Sequence, residues 1–533
     1  MDRPHGDLLG RAGPWLARAA LFAVAMAIGI LVARPIHGAN IGFDSQSSVL
    51  YFERIVAGHR LEAFVSTTPK PLQTIVYGLL FATTHDWRAI AWATIVAFAA
   101  SVTLIAEVAA RVAGPVAWMF VGVAMIGSSA LVFDTAFALA TPWALVFVAA
   151  AGLALARPSP HPAAAGVLLA CGALFRLEVL LVVGLAGLVL IGRSIVPGIT
   201  RGRRPRARDW LVLLGLLALP AMAIHDQLLT GDPGYWTGVA VRYTSLSGFP
   251  VLDARAMVGW IASHLRSEWV ITVMGLVGLA RLLIARRWVE LAGILAFGPG
   301  MAVFLVVLAL RHVYVPDRYA APIDLALIVA SGVAAGWAAE GLVSGWRAHS
   351  AGGAREHPAP SATRASPPAR SRAAPAAVAL LAAAFVAGSA TWRGGLLDRG
   401  LQASIANGLA IAIDTARVEP TLQGIVSLTP EARSWPSAGT SANPLLRVPI
   451  AVRPRLSVDL AIPLTLMPDL RADPVDPGSL ADTAGQVIFH ERRVDGSVPV
   501  IEVTTATRVG PVVVVPLIAD QARGTWVVEI RRR

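Results

Sequence analysis

Charge is scarce in this chain. Only 15% of its 533 residues are Asp, Glu, Lys or Arg, against roughly a quarter in a typical soluble domain. Cysteine is nearly absent. The single Cys171 lies inside an apolar stretch, so no internal disulfide can form and any exported domain must be held by its core alone. No Gly-x-x-x-x-Gly-Lys-Ser/Thr loop occurs, which argues against an ATP-driven machine. Internal repeats are missing too, in particular the inverted pair of Gly- or Pro-broken spans that many transporters carry. Arg3, Arg11 and Arg18 precede an apolar run from Ala19 to Ala33, with no clear small-residue cleavage site after it. The run reads as an uncleaved first span, not a signal peptide.

What the chain has in abundance is apolar length. Hydrophobic residues make up 56% of it, and its mean hydropathy is +0.64. Apolar segments fall at 15–33, 71–84, 89–110, 115–133, 139–156, 163–175, 178–192, 210–226, 268–285, 289–310, 319–341 and 375–391. About twenty residues cross a ~30 Å hydrocarbon core. The net charge of +12 is arginine gathered in loops and not a nucleic-acid footprint. Loop 193–209 carries Arg193, Arg201, Arg203, Arg204, Arg206 and Arg208, and Arg347, Arg355, Arg364, Arg370 and Arg372 follow position 341. Both loops are expected to be cytoplasmic by the positive-inside rule. Counting from them places the N-terminus inside and loop 34–70 outside, so segment 71–84 begins and ends on one face. It reads as an interfacial or re-entrant helix. The expected fold is therefore an all-α polytopic membrane protein of about eleven spans.

Residues 342–374 form a basic Ser/Pro/Ala/Arg linker with too little hydrophobicity to fold. After the last span, 375–391, the tail 392–533 changes character. Its β-branched runs Leu456–Ile462, Val498–Val503, Val512–Ile518 and Trp526–Ile530 are separated by Pro, Gly, Asp and Asn. They predict a β-rich extracytoplasmic domain, with a short amphipathic helix over 398–417 leading into it.

Ionisable groups in or beside a membrane cost several kcal/mol unless paired or hydrated, so their positions mark function. Four clusters fall on the outer face. The first is loop 34–70, with Asp44 just past the first span, then Tyr51, Glu53, His59 and Lys70. The second is Arg176-Leu177-Glu178 between two short apolar arms. The third is Asp134 at an outer turn, and the fourth is Arg318-Tyr319 opening the span at 319–341. Each has a plainer counterpart: a polar loop, a structural ion pair, a helix-end residue, a snorkelling anchor. Together they suit one site in which a carboxylate takes a proton from a hydroxyl while cations hold a phosphate. Loop 227–267, with Tyr235, Trp236 and His264, is aromatic enough to line a sugar groove, or to serve as an interfacial belt.

These motifs, in this order and on this face, resemble the GT-C superfamily of membrane glycosyltransferases that use polyprenyl-phosphate-linked sugars. The resemblance runs from the first span to about 341. Asp44 matches the family's catalytic base. Tyr51, Gly58-His59 and Pro69-Lys70-Pro71-Leu72 resemble its outer-loop juxtamembrane helices. Arg176-Leu-Glu178 resembles an Arg-Pro-Glu turn, with leucine for proline, and Arg318-Tyr319-Ala-Ala-Pro322 an Arg-Tyr-x-x-Pro span opening. What the resemblance implies is an inverting hexosyl or pentosyl transfer onto an envelope glycan, lipid or protein acceptor at a bacterial plasma membrane. Asp44 is then the base. Arg318, Lys70 and Arg176, with Tyr319, face the phosphate, and Glu53, His59, Asp134, Glu178, Tyr235, Trp236 and His264 support the acceptor side. The outer loop shows one clear acid where metal-dependent members show a pair, so no cofactor is implied with certainty and a divalent cation stays open. The rival readings are a flippase or transporter of lipid-linked sugars, and a non-catalytic envelope-assembly protein.

Overall fold

A computed structural model describes residues 7–33, 41–195, 205–247 and 251–352, except positions 62, 66, 158 and 316. In the tail it describes 445–447, 453–459, 464, 485–491, 507–509, 512–516 and 526–532. Among the described residues before the tail the α-helices are α1 (Asp7–Ala33), α2 (Phe43–Val56), α3 (Pro71–Thr84), α4 (Trp87–Ile126), α5 (Ser129–Ala136), α6 (Thr141–Leu155), α7 (Pro162–Phe175), α8 (Leu180–Ile195), α9 (Ala218–Thr230), α10 (Tyr235–Ser247), α11 (Ala254–Ser267), α12 (Trp269–Ile284), α13 (Trp288–Leu295), α14 (Met301–Leu310) and α15 (Ala321–Gly352). Local chemistry sets several starts. Pro71 and Pro162 open α3 and α7, where a missing N–H costs nothing. The Asp86 and Asp253 carboxylates cap α4 and α11 by accepting the Arg88 and Ala256 amides.

Residues 7–352, where described, are helical throughout and form a polytopic membrane module. Six helical runs are long and apolar enough to cross a bilayer: Trp15–Ala33, Trp87–Ile126, Leu177–Ile195, Ala207–Thr230, Glu290–Leu310 and Ala321–Gly341. The bent pairs α5–α6 (120°) and α11–α12 (94°) raise the number to eight. Part of the difference from the expected eleven lies in α4. A straight helix of its 40 residues would be ~60 Å long, twice the hydrocarbon thickness. At Ala113 and Gly114 the backbone leaves the helical region, with Gly114 at φ +80°. Arg18 bonds Glu107 before this break, while Leu21, three residues further along α1, occupies the space over Gly122 after it. Both arms thus return to one level of α1. The chain doubles back there, in keeping with the separate segments 89–110 and 115–133. The expected span 375–391 and the helix over 398–417 lie outside the described residues.

The main core joins α1, α4, α12, α14 and α15 through Phe98, Phe120, Met125, Met301, Leu305 and Ile328. A second core joins α6, α7, α8 and the run into α9 through Leu169, Phe175, Val183 and Val212. Large apolar side chains face outward, among them Trp15 (71% exposed) and Ile284 (72%), an arrangement suited to lipid and costly in water. Helix α15 runs on to Gly352, past position 341 into the start of the expected linker.

In the tail, β1 (Leu445–Arg447), β2 (Gly485–Glu491), β3 (Thr507–Val509), β4 (Val512–Pro516) and β5 (Trp526–Arg532) form one sheet in the order β1-β2-β5-β4-β3. The run expected as a strand at 456–462 differs. Arg453–Asp459 is a helix, here α16. Helical spacing puts Arg453 and Ser457 on one face, where Ser457 accepts from Arg54 of α2 and Arg453 donates to the Phe64 carbonyl.

Candidate active site

The site lies at the end of the helical bundle where α2 and α3 sit. Asp44 occupies the first turn of α2, where the helix N-terminus favours a carboxylate. The start of α2 is fastened to the turn after α5. The Gly42 amide donates to the Phe137 carbonyl (2.8 Å), and the buried Ser45 hydroxyl donates to that of Ala138 (2.7 Å). A side chain at position 42 would run into Leu139 and the Phe137 carbonyl. On the other flank, the Phe52 ring lies where any Cβ on Gly78 would be, so glycine lets α2 and α3 pack closely. Tyr77 of α3 donates to the Ala138 carbonyl (2.8 Å) from beneath.

Two partners hold Asp44. The Thr67 hydroxyl donates to Oδ1 (3.1 Å), and the Lys70 ammonium meets Oδ2 (3.3 Å). Lys70, the only lysine among the 45 basic residues, stands on extended backbone just before α3. It is also within electrostatic reach of Glu178. Between α7 and the short 3-10 turn at Leu177–Val179, Arg176 spreads its guanidinium over three partners. Nη2 donates to Glu178 (2.8 Å), Nη1 to the Thr141 hydroxyl (2.6 Å), and Asp134 Oδ2 lies 3.5 Å from Nη1. Thr141 in turn donates to Asp134. The Arg176 Cζ sits 5.9 Å from the centre of the Tyr319 ring, within cation–π range. Among the described residues, Asp44, Lys70, Glu178, Arg176 and Asp134 therefore follow one another as a row in which carboxylates and cations alternate, Lys70 and Glu178 being linked by electrostatic reach alone. Asp134 is its most deeply buried member at 1% exposure.

The loop that carries Thr67 is held by side chains from three parts of the chain. Arg453 Nη1 donates to the Phe64 carbonyl (3.0 Å), Tyr235 to that of Val65 (3.5 Å), and Tyr51 to that of Thr67 (2.8 Å). Burial, with Tyr235, Asp44 and Asp226 close by, pushes the Tyr51 hydroxyl well above its usual pKa. Burial likewise raises Tyr235 to about 12. Both stay protonated donors at any physiological pH.

Other expected site residues lie apart from the row. His59 is exposed beyond the far end of α2, and that 14-residue helix is ~20 Å long. Glu53 is half-buried along α2. The Trp236 amide donates to the buried Asp226 (2.6 Å). His264 pairs with Asp324 (2.6 Å) and stacks on Trp260. The side chain of Arg318 lies outside the described residues.

Sequence reasoning gave no role to Thr67, which falls in the first polar cluster, and passed over Thr141, the buried neighbours His225 and Asp226, and Asp324. For the two aspartates the signal was present: an ionisable group inside an apolar run. The hydroxyls carried none. Among the described residues no three His, Cys, Asp or Glu side chains converge as a metal site requires. The carboxylates of the row are instead interleaved with cations, so these residues do not fit a ready-made divalent site.

No protein-family model matches the chain, and no curated protein matches it. Among solved structures it is similar to an oligosaccharyltransferase from the archaeon Archaeoglobus fulgidus. The likeness to the AglB complex with an inhibitory peptide and a dolichol-phosphate has a TM-score of 0.48 at 12% identity, over 85% of this chain and 65% of that one. For the apo form the values are 0.46 and 12%, over 71% and 55%. For the form tethered to an acceptor peptide they are 0.43 and 13%, over 71% and 54%. This chain thus spans little more than half the length of the apo and tethered structures. At such identities and TM-scores the likeness is one of helix layout and decides no function.

Proposed function

We propose that the protein is a membrane glycosyltransferase that moves a sugar from a polyprenyl-phosphate donor to an extracytoplasmic glycan, lipid or protein acceptor. The observation that carries this reading is the row Asp44–Lys70–Glu178–Arg176–Asp134 at one end of an apolar bundle. A base and two phosphate-competent cations stand side by side where a lipid-borne headgroup would arrive. Asp44 takes the proton from the acceptor hydroxyl. The new bond forms from that oxygen to the anomeric carbon as the carbon–phosphate oxygen bond breaks, with inversion. The electron pair leaves on the phosphate, which Lys70 and Arg176 hold, with Tyr319 and Arg318 from the opening of α15. Glu178 and Asp134 keep Arg176 oriented, and Glu53, His59, Tyr235, Trp236 and His264 belong to the acceptor side.

In this reading the N-terminus is cytoplasmic, the site and the tail are extracytoplasmic, and the membrane is a bacterial plasma membrane. The described ends of α15 and α16 suit one crossing between them, the role given to 375–391. Gly336 of α15 packs on Ala113 beside the α4 reversal, away from the site, whereas α16 bonds the outer loop.

Purified protein in nanodiscs, offered a panel of radiolabelled polyprenyl-phosphate sugars and envelope glycans, tests the reading. Wild type is expected to transfer label. Asp44→Asn should lose roughly 10²–10⁴-fold of that rate, the usual share of a general base. EDTA should leave transfer intact. Absence of transfer from every donor, with lipid-linked sugar still moved across vesicles, would overturn the transferase in favour of a flippase.

A further inference from the structure

Arg453 is a cation in a place where cations are rarely found. It is 2% exposed, and its guanidinium donates to two backbone carbonyls, those of Phe64 (3.0 Å) and Leu464 (3.4 Å). A buried guanidinium is costly unless its donors find acceptors, and the Phe64 carbonyl is one of the acceptors that hold it in place. The contact joins residues 389 positions apart in sequence. A second contact runs beside it. Arg54 of α2 donates to the buried Ser457 hydroxyl (3.4 Å) one turn further along α16, and Val458 packs among Ile41, Val49 and Tyr77.

What Arg453 holds matters more than how. Phe64 lies three residues before Thr67, which donates to Asp44, and six before Lys70, which pairs with it. The same loop is fixed upstream where the Leu61 amide donates to the Leu229 carbonyl (2.7 Å). The three carbonyls at 64, 65 and 67 are each held by a side chain, and of those three side chains Arg453 alone comes from the tail. A segment of 61–70 left to itself would lose backbone freedom on ordering. Holding its carbonyls offsets part of that cost.

We infer that Arg453 is a positioning residue for the site. Through the Phe64 carbonyl, it fixes the loop that delivers Thr67 and Lys70 to Asp44. The segment Arg453–Asp459 is thus an integral part of the membrane module and not a separable appendage. The catalytic consequence rests on the transferase reading; the clamp itself does not.

The test compares full-length wild type, Arg453→Ala and Arg453→Lys in nanodiscs by amide hydrogen exchange, with peptides of α4 as internal reference. Arg453→Ala should speed exchange at Leu61 and its neighbours through Lys70 by tenfold or more and leave α4 unchanged. Lysine, which keeps one charged donor, should restore part of the protection. Unchanged exchange over 61–70 in Arg453→Ala overturns the proposal. If alanine loosens the whole protein, a Cys171→Ser background carrying Arg54→Cys and Ser457→Cys keeps the question open to decision. A short bis-maleimide should cross-link the pair within one chain, and failure to do so overturns the docking of α16. Where wild type transfers sugar, Arg453→Ala should lower kcat tenfold or more at unchanged KM for the donor, and equal changes in both would overturn the positioning role. A wild type without transfer refutes the enzyme reading and leaves the exchange result standing.

Discussion

The two ends of the helical bundle handle charge in opposite ways. Away from the site, Arg18 and Arg111 share one carboxylate, Glu107, and both arginines are about a third exposed or more. At the site end, Lys70 and Arg176 are divided among three carboxylates, and Arg176, Asp134 and Glu178 are all largely buried. The first arrangement is what anchoring requires: two cations around one carboxylate, with their heads partly in solvent. The second keeps several charges out of water together, which is expensive unless a use holds them there. A carboxylate in such a setting can accept a proton, and cations beside it can accept a phosphate.

The sharpest way to break this contrast is to remove one arginine from each end. Arg176→Ala leaves Asp134 and Glu178 buried without their cation and should cost about 3–5 kcal/mol, along with more than roughly 10²-fold in transfer. Arg18→Ala should cost about 1 kcal/mol or less and leave transfer intact. Thermal unfolding in nanodiscs, run beside the transfer assay, measures both. Equal losses at the two ends would make Arg176 one more anchor.

A gentler exchange sharpens the comparison. Lysine is a compact, strongly hydrated point charge where guanidinium is a flat fork, and among 45 basic residues this chain has lysine only at position 70. Lys70→Arg keeps the charge beside Asp44 but changes its shape. It should lower transfer by about tenfold with little change in Tm, while Arg18→Lys at the other end should change neither. If Lys70→Arg is neutral, position 70 asks only for charge.

The sequence made some of this site legible and hid the rest for physical reasons. Asp44, Lys70, Arg176 and Glu178 could be read because ionisable groups at the ends of apolar runs are costly and rare. The α4 reversal could be read because Arg111 and Gly114-Pro115 interrupt the apolar run. Thr67 and Thr141 could not, since hydroxyls are common and their worth depends on which carboxylate they reach. Asp226 and Asp324 obey the rule that exposed the others and were overlooked, because each sits near the end of its run. The Arg453 clamp joins positions too distant in sequence for any local pattern to connect. The helix at Arg453–Asp459 was taken for strand because Leu456, Val458, Leu460 and Ile462 alternate. Over so few positions periods of 2 and 3.6 cannot be separated, and packing on α2 settles the matter for helix.

The smallest expected effect concerns the neutral donors around the site loop. Tyr235, at about 12 in the folded protein, has a reference value near 10 when unfolded. Below about pH 10 both states hold the proton, and its contribution to stability is whole. Between about pH 10 and 12 the unfolded chain releases the proton first, so stability should fall as pH rises. Tyr51 is raised as well and adds to the same slope. Tyr235→Phe should therefore make the loss of stability above about pH 10 shallower without abolishing it. Urea unfolding of both proteins across that range reads the difference. At the opposite end Arg18→Ala removes no tyrosine hydroxyl and should leave that slope alone. A Tyr235→Phe curve parallel to wild type would mean that the hydroxyl reaches water, and that the Val65 carbonyl is held by something else.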